Sequence, residues 1–172
     1  MTHSSLSGDS TIYSYKLVKK VRHSLLLITP YWALLALFAF AQSLRGGWIW
    51  LPGAALGVLM LHAVITRLRL WMMTGGTASV WGWRFGVLWN GVLPEGFAPL
   101  GLFRRVQRHL TWIGLAAVGL LYPWLPADAL LDLLFFHVWL LLPRWWVLLL
   151  FTRKTKSGWV KINPNDTSCY VQ

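Results

Sequence analysis

Acidic residues are scarce in this chain. Five Asp and Glu stand against 16 Lys and Arg in 172 residues, so chemistry built on paired carboxylates has few positions to draw on. A single cysteine, Cys169, leaves no internal disulfide framework and no CxxC zinc or redox site. Charge of either sign is low at 12%, roughly half the ~25% of a soluble domain. Ser-His-acid, HExxH and glycine-rich phosphate-loop patterns are also missing. An enzyme is therefore not the expectation, and no catalytic residue, cofactor or metal is assigned.

Apolar residues take up the room. The chain is 56% hydrophobic with 13 tryptophans, and its mean hydropathy is +0.53. That balance points to a membrane protein. The net charge of +11 could suit nucleic acid. Here, however, the bases sit at the ends of apolar runs, which suits lipid headgroups and the positive-inside rule. Membrane lipids, with a protein partner or a second copy of the chain, are the expected partners, and nucleic acid is not. Most of the tryptophans fall near span ends, where an apolar ring with a polar N–H is favoured.

In chain order, residues 1–24 are polar and then basic (Lys16, Lys19, Lys20, Arg22). The following apolar run is longer than a secretory leader's core and lacks a small-residue cleavage site. It reads as a retained first span, Leu25 to Ser43. A turn at Leu44–Gly47 leads to a second run from Trp48 to Thr66, and residues 25–66 make one hairpin. Gly53 and Gly57 form a GxxxG, which lets helices approach closely in lipid. Residues 67–109 make a connector rich in Trp and Arg. Within it Trp81, Trp83, Phe85, Val87 and Trp89 alternate with period two, which favours short strands over an interfacial helix. The third span is expected from Leu110 to Leu125 and the fourth from Ala129 to Phe151, with Asp128 as N-cap. Residues 110–152 are the second hairpin, and 153–172 are a basic, then polar tail.

Lys and Arg count four, one, six, none and four across the successive non-spanning segments, with Arg144 left inside the fourth run. Positive-inside places both termini and the connector in the cytoplasm. The fold class is then an all-α membrane protein with four helices in two hairpins. The short turns and basic span ends suit a bacterial cytoplasmic (inner) membrane.

Asp132, His137 and Arg144 are the candidate polar seam of the fourth span. Arg144 lies about 13 Å deeper than Arg153 at 1.5 Å per residue, where a charge is costly unless paired. Two readings compete: an intramembrane seam, or a kink at Pro143 that lifts Arg144 among the headgroups. The second is the expectation. His62 and His109 are weighed as a bis-histidine site, with His137 at a different depth and pairing with neither. Trp83, Arg84 and Trp89 are the expected partner contacts, being hot-spot residue types. Arg104, Arg105 and Arg108 are expected on headgroup phosphates. Cys169–Gln172 matches a prenylation pattern with little to add to a spanning chain, and the Asn165 sequon is predicted cytoplasmic and unused. The leading functional expectation is a non-enzymatic accessory or assembly subunit of a membrane complex. The alternatives are a small oligomeric transporter or channel using the seam, and a lipid-acting enzyme using Glu95, His109 and Arg104 or Arg105.

Overall fold

A computed structural model describes residues 15–75, 81–155 and 158–171. The expectations for residues 1–14 and for positions 76 and 77 of the Thr74–Thr77 breaker lie outside those residues. The described chain runs β1 (Lys16–Arg22), α1 (Leu25–Leu44), α2 (Leu51–Thr74), β2 (Trp81–Phe85), β3 (Asn90–Pro94), β4 (Ala98–Pro99), α3 (Leu100–Leu120), α4 (Ala127–Thr152), β5 (Trp159–Ile162) and β6 (Asp166–Val171). Helix dominates, but six strands in two sheets make the chain more than all-α.

Helices α1 and α4, and α2 with the 3-10 turn before it, are long and apolar enough to cross a membrane. Their boundaries follow from local chemistry. A 3-10 turn at Gly47–Ile49 links α1 to α2, and Pro52 sits in the first turn of α2, where its missing N–H is harmless. Gly75 ends α2 in the left-handed region, its N–H on the Trp71 carbonyl. Pro126 occupies the cap position of α4, so Asp128 stands in the first turn instead of capping it. Helix α4 continues through Pro143 to Thr152. In α3, Leu100, Phe103, Val106, Gln107, Leu110, Gly114 and Val118 are buried at helical spacing. This stripe packs against α2 and α4.

Helices α2, α3 and α4 pack pairwise. Helix α1 lies outside this trio, held by Tyr31 stacked on Trp139 at 4.3 Å and Phe38 stacked on Phe135 at 3.6 Å. Large apolar side chains such as Leu26, Phe40, Val64 and Trp112 face outward around the helices. Such a belt is what a chain surrounded by acyl chains presents.

The antiparallel sheet β1-β6-β5-β4 covers one end of the helices. It joins the two terminal segments, with Lys16 opposite Val171 and Arg22 opposite Asp166. Val21, Val160, Ile162 and Cys169 point to the core, while Trp159, Lys161 and Tyr170 are only half-buried on the other face. Cys169, the cysteine of the prenylation pattern, is fully buried in β6 between β1 and β5. The second sheet is the β2–β3 hairpin, with Trp81 opposite Pro94 and Phe85 opposite Asn90. It realises the period-two pattern of the connector. The flanks of the connector are helical, Arg67–Thr74 in α2 and Leu100–His109 in α3.

Candidate functional site

Helix geometry sorts the polar residues of α4. At about 100° per residue, Arg144 lies within ~20° of His137, whereas Asp132 is ~140° away. One helix therefore presents polar groups to several neighbours. Asp132, His137 and Arg144 are all buried, at 0–1% exposure.

Toward the end opposite the sheet, Gln42 of α1 donates its side-chain N–H to Asp132 Oδ1. In the middle, His62 of α2 and His137 meet at 2.9 Å between Nε2 and Nδ1. His137 Nε2 lies 3.2 Å from the Thr111 carbonyl of α3, a group that only accepts. With neutral rings, His137 therefore carries its proton on Nε2 and receives the His62 Nε2–H at Nδ1. His62 Nδ1 is then left as a bare acceptor, and it has no partner. Nearer the sheet, Arg144 donates to Gln107 Oε1 of α3 at 3.4 Å and to the Asn90 carbonyl of β3. Trp145 Nε1 donates to Thr111 Oγ1 at 2.9 Å.

One expectation is corrected by this arrangement. His137 does pair with His62. Reading the second span as ending at Thr66 set His62 near its end, but α2 runs on to Thr74. His62 is thus 12 residues, about 18 Å, from that end. Helix α4 continues through Pro143, and the Arg144 guanidinium is enclosed by protein. His109 is separate from both, accepting from Arg69 at 2.8 Å while its Nδ1–H donates to the Arg105 carbonyl.

The β2–β3 turn reaches down between the helices. Its polar groups are met by side chains, Val87 carbonyl by Trp32 Nε1 at 3.0 Å and Asn90 carbonyl by Arg144. These turn carbonyls are thus paired within the protein. Gly91, at φ +108° and with the Arg144 guanidinium 3.1 Å from where a Cβ would stand, lets the chain pass that close.

Of the expected partner contacts, Trp83 is exposed at 41% and stacks on Phe85. Trp89 is buried, its indole N–H on His23 Nε2 at 3.1 Å, so its face is turned inward. Arg84 donates to the Ile162 carbonyl, tying the hairpin to β5. His23 joins three segments: its Nδ1 donates to the Pro164 carbonyl and its Nε2 accepts from Trp89, with Thr167 Oγ1 3.1 Å from the same nitrogen. Arg105 and Arg108 are exposed on α3 and Arg104 is half-buried. A Cβ at Gly53 would meet nothing within 4 Å and one at Gly57 only Leu133 at 3.9 Å, so the GxxxG makes no close helix contact here. Gly114 does, and went unnoticed. Gln42 is a further buried polar group that its place in an apolar run makes readable, whereas Gln107 stands among Arg104, Arg105 and Arg108, where nothing local signals burial. Among the described residues, no three metal-ligating side chains converge.

Searches against protein-family models, curated proteins and solved structures found no match.

Proposed function

We propose that this chain is a non-enzymatic accessory or assembly subunit of a membrane complex. It spans a bacterial inner membrane four times, with the sheet and both termini cytoplasmic. The observation that carries the reading is where the polar groups go. The buried polar side chains of α4 reach every neighbouring element between them: Asp132 holds α1, His137 holds α2 and α3, and Arg144 holds α3 and the hairpin. In lipid such hydrogen bonds act as glue between helices. The same engagement argues against transport through the seam, and two cavities beside the helices have largely apolar walls.

The groups left facing outward are of the docking kind. Tyr15, Phe97, Trp159 and Tyr170 form one aromatic cluster on the sheet, with Lys161 Nζ 5.1 Å from the centre of the Phe97 ring. Aromatic and cationic groups of this type are enriched at interface centres. The partner surface therefore moves from the connector to the sheet, with Trp83 at its side.

The test is gentle extraction from the native membrane followed by intact-complex mass measurement. A defined heavier complex with a fixed partner stoichiometry is expected. It should be lost when Trp159 and Tyr170 are both changed to Ala, with the helical circular dichroism intact. A homo-oligomer alone, or a complex indifferent to the double variant, would overturn the proposal.

A further inference from the structure

An apolar groove of about 310 Å³ lies between α1 and α4 near the sheet. Its walls include Leu27 and Leu34 of α1, Leu142 and Trp146 of α4, Trp89 from the β2–β3 turn and Val21 of β1. The volume falls in the ~300–1,000 Å³ range of small-molecule sites. Leu34, Leu142 and Trp146 are 42%, 42% and 52% exposed, so the groove opens sideways. Both flanking helices have membrane-crossing length and composition. The medium at that opening is the acyl region of a bilayer.

Bases stand above the end nearer the sheet. Lys19 is two residues before Val21, hence on the same face of β1. Arg153 is seven residues after Trp146, on the same face of α4 and about 10 Å nearer the sheet. It is exposed. No acidic residue lies in α4 beyond Asp132 or anywhere in β1 and α1. An apolar slot at acyl depth under two cations fits a lipid with a negative headgroup. We propose that the groove holds one acyl chain of an anionic glycerophospholipid, with its phosphate between Lys19 and Arg153. The hydrophobic walls supply retention, and the bases supply headgroup choice.

The proposal rests on the membrane reading and is independent of any protein partner. The full chain, extracted in mild detergent, is incubated with equal amounts of dioleoyl phosphatidylglycerol and dioleoyl phosphatidylcholine. Bound lipid is counted by native mass spectrometry. One phosphatidylglycerol per chain is expected, preferred over phosphatidylcholine by about 25-fold, roughly fivefold for each base. Leu34→Trp and Leu142→Trp fill the groove from opposite walls, and each should abolish the retained lipid. Leu120→Trp, at an exposed position on α3, should not. The double variant Lys19→Gln with Arg153→Gln should keep one lipid per chain but bind the two headgroups equally, and neither side chain is in the core. Equal retention in wild type and both filled variants would overturn the acyl site. So would an empty groove in a lipid-free dimer. Indifference of wild type to headgroup charge would overturn the anionic assignment.

Discussion

Gly114 has no side chain because His137 occupies the space. A Cβ there would stand 2.3 Å from His137 Cε1 and 2.8 Å from Nδ1. The ring has little freedom to retreat, since one nitrogen meets His62 and the other the Thr111 carbonyl. Gly114→Ala should therefore destabilise the fold by about 1–3 kcal/mol, as overpacking does. Gly53→Ala meets no atom within 4 Å and gains up to ~1 kcal/mol of helix propensity. Thermal melts of the two variants in one detergent should move in opposite directions, or Gly53→Ala should not move. A lower melting temperature for Gly53→Ala than for Gly114→Ala would contradict this account. The pair also shows what one residue reveals by itself. A GxxxG is visible as a pattern, whereas the need for glycine at 114 comes from an imidazole 23 residues away on another helix.

At the scale of elements, the apolar helices were legible because each carries its own signal, and the period-two connector became a hairpin for the same reason. The four-stranded sheet was not legible. β1 and β6 are short, polar segments at opposite ends of the chain, and neither has a hydrophobic pattern strong enough to announce a strand alone. What fixes them is mutual. Lys20 reaches Asp166 at 3.4 Å, and Ser168 and Asn163 donate to the same carboxylate at 2.7 and 3.2 Å. Burial raises the Asp166 pKa, but these hydrogen bonds and the Lys20 charge outweigh it and hold the carboxyl below its ordinary value. A carboxyl depressed in the folded state contributes stability above its unfolded pKa, ~3.9. That contribution is lost as pH falls through the folded value. Acidification from pH 6 to pH 3 should then lower the melting temperature of wild type more than that of Asp166→Asn. At neutral pH the variant should be less stable by on the order of 1 kcal/mol. Parallel melting curves for the two proteins over this range would show that the carboxylate does not hold the sheet.

For the whole molecule, the sheet constrains how the chain crosses a membrane. β1 leads directly into α1, and β5 and β6 follow α4, yet β1 pairs with β6. Both ends of the helical region therefore lie on one side of the helices, so the proposed membrane arrangement requires an even number of crossings. Hydropathy alone marks three candidate spans and passes over α3, whose first half carries Arg104, Arg105 and Arg108. The 21 residues of α3 measure about 31 Å at 1.5 Å each, close to a ~30 Å hydrocarbon core. Its outer half from Leu110 onward has no charge. Snorkelling arginines at one end are compatible with such a span. Single cysteines at Arg45, Trp124, Arg105 and Lys161 test the count, using an impermeant maleimide on intact cells and on inverted vesicles. The native Cys169 should contribute little, since burial both shields the thiol and pushes its pKa up. Cysteines at 45 and 124 should label from one side, and those at 105 and 161 from the other. Labelling of position 124 from the same side as 105, with 161 labelled from the opposite side, would leave α3 outside the bilayer core. The sheet could then not close across the membrane, and the four-crossing arrangement would fall with it.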